Sequence, residues 1–189
     1  MRQHLRPALV LFAIFMLVTG LAYPLAMTGI AQVIFPSGAN GSMIPGKDAV
    51  VGSHLIGQAF ASPRYFWPRP SAAGQGYDAA ASSGSNLGSI SQKLLDRAGV
   101  DAARVKEANG AASLPADAVT ASGSGLDPDI SPAYALLQVS RVATARSLPE
   151  DTIRRLVEGR IRNPVIGLFG EPRVNVLDLN LALDALPPA

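Results

Sequence analysis

The sequence predicts a mixed α/β or α+β domain of few strands and about four helices, tethered by one N-terminal transmembrane helix. Three observations carry that prediction. No charged residue lies between Arg6 and Lys47, and residues 8–35 inside that gap are predominantly apolar. Beyond residue 35, helical and alternating hydrophobic spacings both occur, divided by Gly, Pro and Ser clusters. Residues 36–189 have the length of one domain and carry fourteen basic and fourteen acidic side chains.

The composition excludes several functions. There is no cysteine, so disulfides, thiolate metal sites and thiol nucleophiles are absent. The two histidines, His4 and His54, leave little for a metal cluster or proton relay. A net charge of +2 with no basic stripe argues against a nucleic-acid partner.

Taken in order, residues 1–7 form a short basic flank. As a helix, residues 8–35 would reach roughly 42 Å, against a hydrocarbon core of roughly 30 Å. A cleaved signal peptide would turn polar after Ala22, whereas this run stays apolar to Phe35, so an uncleaved anchor is expected. Arg2 and Arg6 place the N-terminus in the cytoplasm and the larger domain outside. Pro24 predicts a kink. Gly20, Ala22, Ala26 and Gly29 are small residues that would let a second membrane helix approach closely.

Residues 36–47 read as a Gly/Pro-rich hinge, and the outer domain is expected to span 48–189. Residues 48–60 read as a strand with a bulge or turn at its glycines. Residues 62–71 (SPRYFWPRPS) hold three aromatics among three prolines and predict an ordered, non-helical segment. A small-residue loop follows over 73–85. Residues 86–106 predict a helix, with a possible break at Gly99. Residues 107–116 read as loop, and 117–120 as a short extended piece. Ser131-Pro132 predicts an N-cap with proline at the first helical position, and a helix to about Arg146. Ser147 and Glu150 have capping-box spacing for a further helix ending near 160–162. Residues 172–177 alternate as a strand, and Asp178 would cap a last short helix.

Candidate chemistry is sparse. Residues 41–48 (GSMIPGKD) approach a phosphate-binding loop, but Asp48 replaces the Ser or Thr that would hold magnesium, so a hinge is the better reading. Residues 121–131 (ASGSGLDPDIS) place Ser122, Gly123, Ser124 and Gly125 before Asp127 and Asp129. Neither the calcium-loop nor the nucleophile-elbow pattern is met, and a tight turn capping the next helix suffices. This turn remains a candidate docking surface. So does the aromatic segment Tyr65, Phe66, Trp67 and Arg69, because aromatics and arginine are enriched at interfaces, although the same rings could be core. His54 is the one histidine of the outer domain. An anchored extracytoplasmic hydrolase would have to use it with Ser124 or Asp127. A signal-cleaved periplasmic binding protein is a further alternative.

Six stretches in order match a known family: residues 51–60 (VGSHLIGQAF), 65–72 (YFWPRPSA), 83–88 (SGSNLG), 119–133 (VTASGSGLDPDISPA), 141–146 (RVATAR) and 170–180 (GEPRVNVLDLN). With the N-terminal anchor, the chain resembles the C subunits of the Kdp potassium-transporting ATPase. The resemblance implies a non-catalytic, single-pass accessory subunit of a bacterial inner-membrane potassium uptake complex, with no catalytic residue, metal site or bound cofactor of its own. The implied partners are a channel-like K⁺-binding subunit, a P-type ATPase subunit that handles ATP, and a small single-helix subunit. Two roles are implied: raising the ATP affinity of the ATPase subunit, or capping the K⁺ entrance. With the domain outside, any influence on ATP would be indirect.

Overall fold

The computed structural model describes residues 2–46, 48–164, 167 and 170–187. These form two compact units, Met1–Ser53 and His54–Ala189.

The first unit is dominated by a continuous helix. α1 (Arg2–Leu17) passes through a π-helical turn (Val18–Ala22) into α2 (Tyr23–Ile34). Gln3–Ile34 contains an 18-residue stretch of mean hydropathy 2.3, and none of its residues is buried within the chain, so it is long and apolar enough to cross a membrane. Where a kink was expected at Pro24, the helix widens just before it. Tyr23 N–H donates to Val18 O, a five-residue step. Pro24 has no N–H, and in a regular α-helix its ring would press on the Gly20 carbonyl; the π turn relieves this one turn earlier.

The segment read as a hinge is more regular than expected. α3 (Pro36–Ala39) continues the chain, and Asn40 closes it through Pro36 O (2.7 Å) and a paired amide contact with Gln32 (3.1 and 3.3 Å). An antiparallel hairpin follows, β1 (Met43–Pro45) with β2 (Val50–Ser53), bulged between Ile44 and Pro45. The phosphate-loop-like residues 41–48 are spread over the approach to β1, β1 itself and the start of the turn. Lys47 lies outside the described residues. The strand expected over 48–60 is therefore short, and it turns at His54 and Leu55.

The second unit is α+β. α4 (Gln92–Asn109) runs straight through Gly99 and ends on Gly110 in the left-handed conformation. Residues 116–118 form a 3-10 turn rather than an extended piece. β3 (Asp129–Ile130) pairs antiparallel with β4 (Val174–Asn175), and a separate isolated antiparallel bridge joins Arg162 and Arg173. The helix expected over 131–146 is two: α5 (Pro132–Leu137) and α6 (Val139–Arg146), divided at Gln138. Ser131 caps α5 as expected, accepting from Tyr134 N at 3.0 Å. Ser147 ends α6 at φ +56 instead of starting the next helix, and α7 (Glu150–Glu158) begins after Pro149. α8 (Val176–Asp184) is capped by Asn175, whose Oδ1 accepts from Asp178 N at 3.0 Å, not by Asp178.

The core lies among α5–α8. α7 shows why these residues make a helix: Ile153 and Val157 stack one turn apart and are fully buried, while Glu150 and Asp151 sit in its first turn. Val139, Val142, Val174, Leu179 and Leu183 belong to the same cluster, with Tyr134 and Phe66 as its largest members.

Candidate functional site

The aromatic segment enters this core without belonging to a helix or strand. Phe66 is 0% and Trp67 8% exposed. Proline on either side prevents a helix, so the buried backbone needs other partners. Two side-chain amides supply them. Gln138 Oε1 accepts from Trp67 N (2.7 Å) and its Nε2 donates to Trp67 O (3.1 Å). Asn180 does the same for Phe66, at 2.9 and 3.0 Å. Both amides are themselves buried.

Two arginines fasten the flanks. Arg141 donates to Pro63 O, Tyr65 O, Asn109 Oδ1 and Gln138 Oε1, and its guanidinium lies 4.1 Å from the Trp67 ring centroid. Burial lowers the Arg141 pKa to about 10. Arg146 donates to Arg64 O (2.8 Å), pairs with Asp184 (2.6 Å) and covers the half-buried Tyr65 ring. Tyr65 Oη donates to Asp184 at 3.0 Å.

The same segment meets the glycine turn. Arg69 pairs with Asp127 at 2.8 Å and donates to Thr120 O. Ser71 Oγ donates to Gly125 O at 2.5 Å and accepts from Tyr77 N at 2.8 Å. Tyr77 sits at φ +58, a costly conformation for a bulky residue, and its phenol is tied to Arg69 O at 2.7 Å. Burial, with the Asp127 charge, pushes that phenol's pKa up. Gly125 is required: at φ +67, a Cβ would lie 2.6 Å from both Ala73 N and Ser83 O. Ser124 Oγ accepts from Leu126 N and approaches Ser122 Oγ at 3.5 Å, while Asp127 Oδ1 accepts from Asp129 N. Ser124 O receives Ser83 N and Ser82 Oγ. Gly123 lies beneath Gly84, where a Cβ would come within 2.9 Å of Gly123 O.

An open cleft of about 470 Å³ lies beside this junction, lined by Arg69, Asp117, Asp127, Asp129, Glu171 and Arg173 among others. Its acidic side chains outnumber its basic ones. Asp129 pairs with Arg173 at 2.9 Å through one oxygen, while its other oxygen is buried without a hydrogen-bond partner. Burial raises the Asp129 pKa, opposed by Arg173 and aided by Asp127.

His54 meets neither Ser124 nor Asp127 in a hydrogen bond. Its Nδ1 stands 2.6 Å from Asp178 Oδ1, and Arg162 holds the other oxygen of that carboxylate at 2.5 Å. Asn175, which caps α8, also donates to His54 O. The histidine thus fastens the start of the second unit to the head of α8. No group of three or more potential metal ligands occurs among the described residues.

The structure therefore joins the two segments singled out in the sequence. It places Phe66 and Trp67 in the core and leaves Tyr65 half-buried at its edge. Gln138, Arg141, Arg146 and Asn180 hold the aromatic segment in place and were not named as candidate site residues. The signal for two of them was present: Gln138 lies inside an apolar helix pattern, and Asn180 stands on the buried stripe of Val176, Leu179 and Leu183. On the long apolar helix, Ala26 and Gly29 lie three residues apart on one face of α2, whereas Gly20 and Ala22 both fall inside the π turn. A Cβ at Gly20 or Gly29 would meet nothing within 4 Å.

Comparison with known proteins agrees with the six stretches. A family model described as "K+-transporting ATPase, c chain" matches residues 5–185. The chain is 57% identical to the "Potassium-transporting ATPase KdpC subunit" of Caulobacter vibrioides (strain NA1000 / CB15N), covering 100% of this chain and 96% of that one. It is 56% identical to the subunit of the same name from Beijerinckia indica (100% and 96% covered), and 52% identical to that from Rhodopseudomonas palustris (100% of both). Nearly all of the N-terminal apolar helix, the aromatic segment and the glycine turn lie within the matched span, and the chain belongs to the KdpC family, the C chains of K⁺-transporting ATPases.

Proposed function

We propose that the chain is a non-catalytic accessory subunit of a high-affinity, ATP-driven potassium uptake complex. Its partners are a channel-like K⁺-binding subunit, a P-type ATPase subunit and a small single-helix subunit. The observation that carries this reading is the family match, which runs from the apolar helix to the end of α8. The helix anchors the chain in the inner membrane as a single pass. Arg2 and Arg6 keep its N-terminus cytoplasmic, so the second unit is periplasmic. ATP and K⁺ are handled by the partner subunits, and an influence on ATP binding acts through assembly across the membrane.

The acidic excess of the cleft favours a second role for the same domain, capping the K⁺ entrance, since acidic walls raise the local cation concentration. An anchored hydrolase gains no support from the side chains: His54 is committed to Asp178, and the Ser124 hydroxyl serves its own turn. Deletion of the chain is expected to abolish growth at micromolar K⁺ and leave growth at millimolar K⁺ unchanged. Undiminished growth at micromolar K⁺ in the deletion strain, with no other uptake system active, would refute a role in K⁺ uptake.

A further inference from the structure

A second groove, of about 420 Å³, opens between α4 and the aromatic segment. Its walls mix apolar and polar groups, with Phe60, Trp67, Pro68 and Pro70 supplying the larger apolar surfaces. Three arginines reach it: Arg69, Arg97 and Arg104. They differ in how they are occupied. Arg69 is neutralised by Asp127. Arg104 lies 5.2 Å from the Trp67 ring centroid and is 3.8 Å from Asp101, the one acid in the groove. Arg97 makes no hydrogen bond or ion pair among the described residues, and its Nε is buried without a partner.

The Nε is covered by the chain itself, so what Arg97 brings to the groove lining is a guanidinium charge with no ion pair among the described residues, and a partly buried charge without a partner is costly. The missing partner must accept hydrogen bonds from a guanidinium and carry negative charge. The charges also limit how much. Arg69 and Arg104 each have an acid beside them, which leaves about one uncompensated positive charge, suited to a carboxylate rather than a doubly charged phosphate. The apolar surfaces around that charge suit a peptide side chain with apolar neighbours.

We infer that this groove docks an acidic side chain, flanked by apolar residues, of a partner subunit of the complex, with Arg97 as its charge partner. The inference rests on the accessory-subunit reading above. One desolvated charge pair at an interface is worth enough to change an association constant about tenfold.

The test uses the full chain, co-expressed with its partner subunits and purified through a tag on the chain in mild detergent. Arg97→Ala and Arg97→Glu are compared with Arg97→Lys, and the melting point of each chain checks its fold. Because the Arg97 side chain has no partner among the described residues, melting is not expected to fall. Recovery of the partner subunits is expected to fall about tenfold for Arg97→Ala, further for Arg97→Glu, and to recover partly for Arg97→Lys. Raising the salt should weaken wild-type association more than that of Arg97→Ala. Wild-type recovery of partners by both Arg97→Ala and Arg97→Glu would overturn the inference and leave the accessory-subunit reading intact. Failure of the wild-type chain itself to recover partners would overturn both. If the variants keep the partners but lose binding to phosphatidylglycerol vesicles, the groove takes a lipid phosphate and the inference is wrong.

Discussion

At Phe66 and Trp67 the chain buries a backbone that can be neither helix nor strand, and the amides of Gln138 and Asn180 stand in for the missing ladder. Removing either amide leaves a buried N–H and C=O unpaired. Gln138→Ala and Asn180→Ala should each cost about 2–4 kcal/mol, measured by urea unfolding of the full chain in detergent. A loss below about 0.5 kcal/mol, the usual size of a surface substitution, would show that water replaces them freely. The sequence could not place the aromatics, because a Tyr-Phe-Trp run reads alike in a core and in an interface. What decides between them is Gln138, seventy-one residues away, and no local pattern reports that distance. Polar residues inside apolar helix stripes were the usable signal.

The long apolar helix was legible because it depends only on length and the absence of charge, both local properties. Its π turn was not, since proline can be accommodated by a kink or by a wider turn. Pro24→Ala supplies the missing N–H and removes the ring, so the turn should return to α geometry. The part of the helix before it would then rotate by about 100° relative to the part after it. Amide exchange of the chain in micelles is expected to show a protected amide at position 24; rapid exchange there would mean that the wide turn has another cause. Helix boundaries in the second unit failed for a similar reason. Ser147 has capping-box spacing to Glu150, but it adopts φ +56 and Leu148 N bonds back to Ala143 O at 3.0 Å, closing α6 first. The hairpin at 43–53 was read as hinge and short strand, because Gly and Pro mark turns without saying that the flanking residues pair.

For the whole chain, the fold class and the family were both readable, but for different reasons. Mixed periodicities gave a domain of helices and few strands, α/β or α+β, while the strand pairing that decides between them needed long-range contacts such as Asp129 with Asn175. Family membership came from six stretches, and most of them prove structural. Residues 65–72 bury the aromatics, 119–133 hold the glycine turn, and 141–146 supply the two arginines. That distribution fits a subunit whose task is to hold a shape against partners rather than to perform chemistry. The most direct measurement is K⁺-stimulated ATP hydrolysis by the purified complex, prepared with and without this chain. Hydrolysis is expected to depend on the full-length chain and to survive His54→Ala, provided that the variant remains folded. Equal K⁺-stimulated hydrolysis without the chain, or its abolition by a folded His54→Ala variant, would contradict an accessory, non-catalytic role.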